Sequence, residues 1–260
     1  VTAPGWLDLV LLAAAGLVAG AVNTVAGAGS LLLLPTLIWT GLPADAANAT
    51  NRIGILAQTT MAVVGFRRAG LRVEGRELRM VGLVTAGGVL GALVATRLSP
   101  RAMELAIVGA MVAMLVLSLA PSRPPDAKAL VAHPASSPPL SFALSLGLAL
   151  VGVYGGFLQA GLGIVLVLVL SRSGTMDLVR ANLVKSAATL ALTVVAMAVF
   201  WSAGETLDPW RGGALACGSA VGGLVGARAT VRLGPELVRR VIVLAIVAAL
   251  TKMLWDLTTR

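Results

Sequence analysis

Runs of about twenty apolar residues recur from one end of the chain to the other, and this recurrence limits the fold more than any single motif does. Bounded by charge, Pro or Gly, the runs fall at Trp6–Ala26, Ser30–Thr40, Pro43–Phe66, Leu78–Thr96 and Ala102–Ala120. A Pro/Ser-rich stretch, Pro121–Pro139, interrupts them. The series then resumes at Leu140–Leu158, Ile164–Leu170, Leu178–Ser202, Trp210–Ala227 and Pro235–Trp255. All except Ser30–Thr40 and Ile164–Leu170 are long enough, or nearly so, to cross a hydrocarbon core of about 30 Å as helices. With 58% of its residues hydrophobic, 12% charged and a mean hydropathy of +0.94, the chain lacks the polar surface of a soluble domain. The expected class is an all-α integral membrane protein in a lipid bilayer.

A formal charge of +9 would suggest nucleic acid for a soluble protein. Here the arginines cluster in short loops beside apolar runs, where the positive-inside rule places them in the cytoplasm, so no nucleic-acid partner is expected. The single cysteine, Cys217, lies in an apolar run and has no mate for a disulfide. The single histidine, His133, sits in the linker, so zinc sites and His-based triads have no ligands to draw on, and no cofactor is expected. The first apolar run lacks a basic flank and is expected to remain as a membrane helix.

The two series of runs match one another. A shift of 134 positions lays "AGAGSLLLLP", from Ala26, on "AGLGIVLVLV", from Ala160, pairing Gly27 with Gly161 and Gly29 with Gly163. The same shift pairs Asn48 with Asn182, and Asn51-Arg52 with Lys185-Ser186. Residues 1–120 and 140–260 are therefore expected to be two repeats joined by the linker 121–139. The loop after the first "NATNR" run carries Arg67, Arg68, Arg72, Arg76 and Arg79, whereas its counterpart carries Glu205 and Asp208 against Arg211. The next loops reverse this bias: "RLSPR" is short and modestly basic, and its counterpart holds Arg228, Arg232, Arg239 and Arg240. Opposite charge bias implies inverted halves with an odd number of crossings each, both termini outside, and the short Gly-led segments as broken or re-entrant helices meeting at the midplane.

Two cations break the apolar pattern. Arg52 and Lys185 lie about 11–15 Å into their helices at 1.5 Å per residue, close to the midplane. A cation there costs roughly 2.5–3.5 kcal/mol and persists only with a partner. Every acidic residue falls in a loop or at a helix end, so the expected partner is a small anion. Asn48, Asn51 and Arg52 in one half, and Asn182, Lys185 and Ser186 in the other, supply the amide, hydroxyl and cationic donors that an oxyanion needs. Gly27, Gly29, Gly161 and Gly163 can free backbone N–H groups at half-helix N-termini. The alternative is a static bundle in which these cations rest on backbone carbonyls. Gln159 and Asn23 fit either site lining or helix–helix bonding, and "GGVLGALVA" and "GSAVGGLVGA" fit close helix packing.

Walker A and dinucleotide fingerprints are absent, and neither a nucleophile–base pair nor a metal cluster is present, so an enzyme is not expected. The stretch "GLVAGAVNTVAGAGSLLLLPTLIWTGLPADAANATNR", with the following "GFRRAG", resembles the signature of the sulfite exporter TauE/SafE family. The degenerate copies "GGFLQAGLGIVLVLVL" and "RANLVKS" extend the resemblance over nearly the whole chain. It implies a multi-pass permease of the bacterial cytoplasmic membrane that carries sulfite, sulfonates or sulfoacetate. It implies a site at Gly27, Gly29, Asn48, Thr50, Asn51, Arg52, Gln159, Gly161, Gly163, Asn182, Lys185 and Ser186. Val169 stands where the first copy has Pro35, and Val184 where it has Thr50, so the half-sites differ. The expected function is export of such an anion by alternating access, with an importer or channel for another small anion, or a non-transporting scaffold, as alternatives.

Overall fold

A computed structural model describes residues 3–27, 29–119, 140–172, 176 and 178–229. The linker, His133 and the expected helix Pro235–Trp255, with Arg232, Arg239 and Arg240, lie outside the described residues. Within them the chain is helical, in the order α1 (Trp6–Ala26), α2 (Ser30–Trp39), α3 (Ala44–Arg68), α4 (Gly75–Ala95), α5 (Pro100–Leu119), α6 (Phe142–Phe157), α7 (Leu162–Arg172), α8 (Leu178–Ser202) and α9 (Pro209–Ala229).

Three of these helices, α1, α4 and α8, are both long enough and apolar enough to cross a membrane. With 10 and 11 residues, α2 and α7 rise only about 15–17 Å, roughly half a hydrocarbon core. The breaks before them have local causes. Gly27 takes the left-handed conformation, φ 81°, and its N–H closes α1 on the Asn23 carbonyl. Gly161 and Gln159 also adopt positive φ, the latter unusual for a residue with a Cβ.

The apolar runs and the helices agree closely, with one instructive difference. The fourth helix begins at Gly75 rather than Leu78, because the Glu77 carboxylate accepts the Glu74 amide at 3.0 Å and caps the helix across its charged first turn. Hydropathy alone stops at charges that helix geometry accepts.

The most extensive helix contacts cross between the two series: α1 with α9, α3 with α9, and α4 with α6. Glycines allow the first and the last. A Cβ on Gly218 would lie 1.9 Å from the Ala13 carbonyl oxygen, and one on Gly91 would lie 1.9 Å from that of Val153. Backbones touch there, as small-residue stripes permit in membranes. The outward faces carry Leu11, Val18, Leu90, Leu150, Val194 and Val221, while Asn51, Arg52, Asn182 and Lys185 are buried. This is the reverse of a soluble fold and suits a lipid surround.

Candidate functional site

The breaks after α1 and α6 place two glycine turns back to back at the centre. A Cβ on Gly27 would sit 2.2 Å from the Gly163 carbonyl carbon, so neither position admits a side chain without backbone movement. Gly29 presses on the Ala19 carbonyl, 2.1 Å from its would-be Cβ, and its amide donates to Asn23 Oδ1 at 3.2 Å. Ser30 stitches the turns together. Its hydroxyl donates to the Gln159 carbonyl at 2.9 Å and accepts the Gly161 amide at 3.2 Å.

The two cations lie fully inside, each reaching a broken helix from the other series. Arg52 on α3 is 0% exposed and donates to the carbonyls of Gly155 at 3.0 Å and Gly156 at 2.7 Å, near the C-terminal end of α6. Asn48, one turn earlier, donates to the Phe157 carbonyl at 3.0 Å. Lys185 on α8 is 3% exposed and donates to the carbonyls of Asn23 at 3.0 Å and Thr24 at 2.8 Å, near the C-terminal end of α1. It also donates to Asn182 Oδ1 at 2.6 Å. Both cations thus satisfy carbonyls at negative helix ends. Phe200 covers the Arg52 guanidinium, with its ring centroid 5.0 Å from Cζ.

Neither cation forms an ion pair with a carboxylate among the described residues, in keeping with the sequence. The carbonyl partners are those that the static-bundle alternative names: composition locates acidic side chains, whereas helix-end carbonyls come from the tertiary fold.

A small cavity of about 10 Å³ lies beside Lys185, room for about one water. Gln159, Gly163, Lys185 and Ser186 line it, together with Asn23, Ser30, Gln58, Thr59 and Thr189, and no carboxylate does. The remaining expected residues lie around it rather than on it. Gly27, Gly29 and Gly161 shape the turns, Asn182 holds Lys185, and Arg52 and Asn48 grip α6. Thr50 faces away from the cavity, its hydroxyl accepting the Asp208 amide at 3.0 Å. Gln58, Thr59 and Thr189 were not read from the sequence as site residues. Their signal was helical spacing, since Thr189 lies four residues after Lys185, and Gln58 and Thr59 continue the Asn51–Ile55 face.

Unsatisfied groups collect in the same region. Asn48 Oδ1, both amide atoms of Asn51, Arg52 Nε and Gln159 Oε1 are buried without a hydrogen-bond partner. Such groups carry a desolvation cost of about 1–3 kcal/mol each, which a water or a bound polar solute relieves.

The start of α9 anchors one end of the bundle. Arg211, 1% exposed, reaches Asp208 Oδ2 at 2.5 Å and the Thr40 carbonyl at 2.6 Å, tying α9 to the end of α2. Burial alone would raise the Asp208 carboxyl, but the amides of Arg211 and Trp210 and the Arg211 charge outweigh it and hold it below the usual aspartate value. At the other end of α3 and α8, Arg180 pairs with Glu77 and, at 3.6 Å, with Glu74.

Lipid-suited faces around two buried cations that pair with no carboxylate among the described residues, beside two short helices that follow glycine breaks, fit a membrane transporter. The family model described as "Sulfite exporter TauE/SafE" matches residues 12–253. The chain belongs to that family of membrane transporters. It is 26% identical over 252 residues to "Probable membrane transporter protein ORF9" of Sinorhizobium sp, covering 96% of this chain and 94% of that one. It is also 26% identical over 261 residues to "Probable membrane transporter protein" of Haemophilus influenzae, covering 95% of each. No solved structure matches it.

Proposed function

We propose that this protein exports sulfite or a related small organosulfur anion, such as a sulfonate or sulfoacetate, across a bacterial cytoplasmic membrane that it crosses several times. The observation that carries the reading is the cavity beside Lys185, which joins one buried cation to amides and hydroxyls and has no carboxylate in its lining. Arg52 and its neighbouring amides form the second, unlike half of the site. The two halves, 1–120 and 140–260, are inverted repeats, and the match at a shift of 134 residues and the crosswise packing of α1 with α9 and α4 with α6 support this.

With room for about one water, the cavity is smaller than any sulfur oxyanion. Loading therefore requires the cavity to open, which suits alternating access of the two halves. An anion entering beside Lys185 exchanges one of the three bonds that Nζ makes to Asn23, Thr24 and Asn182. Export is favoured by an inside-negative potential, about 2.3 kcal/mol per charge per 100 mV.

The test is sulfite flux from loaded liposomes containing the purified protein, with Arg52→Gln and Lys185→Gln alongside. Saturable flux that falls at least tenfold in both variants, roughly the loss of one charge-assisted hydrogen bond, is the expected result. Full flux in both would make the cations purely structural. Flux of a sulfonate without sulfite would keep the site and change the substrate.

A further inference from the structure

The α3 N-terminal end of the bundle holds a second polar constellation, which shares Asn48 with the Arg52 half of the anion site and adds two carboxylates that the anion site does not use. Asp45 and Ala49 from α3, Ala95 from α4, Met103 from α5, Phe200 from α8 and Glu205 from the α8–α9 loop enclose a narrow cleft around Asn48. Asp45 and Glu205 are partly exposed, whereas Asn48 is 1% exposed. Asp45 Oδ1 and Asn48 Oδ1 are both buried without a partner, and neither carboxylate forms an ion pair among the described residues. Acceptors therefore outnumber donors in a cleft with no enclosed room for a water, and a proton satisfies such a set without needing that room.

The surrounding charges leave the pair to itself. Arg52 lies against the Phe200 ring and is committed to α6 carbonyls. Arg211 is held by Asp208 and Thr40, Arg101 pairs with Glu104 at 3.0 Å, and Arg97 beyond α4 is exposed. Asp45 sits in the first turn of α3, and Glu205 faces the same cleft from the α8–α9 loop as the proton carrier. Burial raises the Glu205 carboxyl above its ordinary value, and the Asp45 charge raises it further.

We propose that Glu205 binds a proton, shared with Asp45 Oδ1, whenever this mouth of the bundle is closed, so that closure is proton-linked. A proton held more tightly in the closed state favours closure at low pH, and that preference is lost as pH rises through the raised value. With both carboxylates ionised, like charges repel across the cleft and the mouth parts. The inference goes beyond the anion-export reading and concerns two carboxylates, Asp45 and Glu205, that are not among the residues proposed to hold the anion.

The test needs no substrate, so its failure is separable from failure of sulfite transport. In a Cys217→Ser background, a single cysteine replaces Ala49 in the cleft, and its rate of modification by a hydrophilic thiol reagent is divided by that of an exposed Trp201→Cys control at each pH. The ratio is expected to fall about tenfold between about pH 8 and pH 5, the scale of one linked proton. Glu205→Gln, which keeps a donor toward Asp45, is expected to hold the ratio low at every pH. Asp45→Asn is expected to move the transition to lower pH, and Glu104→Gln, paired with Arg101 and not part of this cleft's lining, to leave it in place. A ratio independent of pH in the parent, or an unchanged profile in Glu205→Gln, would overturn the proposal.

Discussion

Gly27 and Gly163 meet backbone to backbone, with 2.2 Å between a Cβ built on Gly27 and the Gly163 carbonyl carbon. That contact welds the break after α1 to the start of α7, and Gly27 also needs its positive φ. Gly27→Ala and Gly163→Ala are therefore each expected to destabilise the fold by about 1–3 kcal/mol through overpacking, Gly27→Ala more because of its φ. Gly147→Ala, which meets nothing within 4 Å, is the control. Thermal unfolding in detergent measures all three.

The grip of Arg52 on two adjacent carbonyls depends on the guanidinium fork. An ammonium on a lysine stem does not reproduce that planar pair. Arg52→Lys is expected to keep the charge yet lower transport about tenfold, the scale of one lost charge-assisted bond. Lys185→Arg is expected to be equally damaging, because three acceptors at 2.6–3.0 Å already surround Nζ and a longer group overfills the site. Initial flux rates in liposomes decide both.

At the opposite end of α3, Arg180 serves the buried carboxylate of Glu77. Arg180→Ala leaves that carboxylate with the Glu74 amide as its remaining donor in this set, and the expected loss is about 1–3 kcal/mol. Glu77→Gln keeps a polar cap without an unpaired charge, so it is expected to cost less. If both variants unfold at the parent temperature, the pair contributes nothing to joining α4 and α8.

Asp208 offers a test by pH. Its carboxyl is held below the ordinary aspartate value of about 3.9, so its ionised form stabilises the fold above that pH and the contribution is lost as pH falls through the lowered value. The parent is expected to keep this contribution at pH 5 and lose it in stronger acid. Asp208→Asn is expected to be less stable at neutral pH and to show a smaller acid-induced loss, as unfolding midpoints across pH would show.

Much of the architecture was legible because lipid imposes a simple rule. Apolar runs gave α1 and α8 with both ends as observed, and glycine turns marked both breaks. The start of α4 was missed because Glu77 caps the helix while lowering its hydropathy. In the site, Arg52 and Lys185 stood out as charges where a bilayer disfavours them, and Gln159 and Ser186 as polar neighbours. Thr50 was less legible: a hydroxyl beside an arginine in sequence suits a site, yet its direction depends on where the α8–α9 loop returns, and there it meets the Asp208 amide.

Chain order and hydropathy alone determine that this protein is a helical membrane bundle whose apolar segments are broken at glycines and carry two cations. Those properties are local or periodic, and each follows from the solvation of single segments. Tertiary structure alone decided which groups meet. Arg52 rests on carbonyls 103 and 104 residues away and Lys185 on carbonyls 162 and 161 residues away. Backbone carbonyls have no signature in composition, since every residue carries one. Only the packing of helices far apart in sequence selects the few that end a helix within reach of a buried charge.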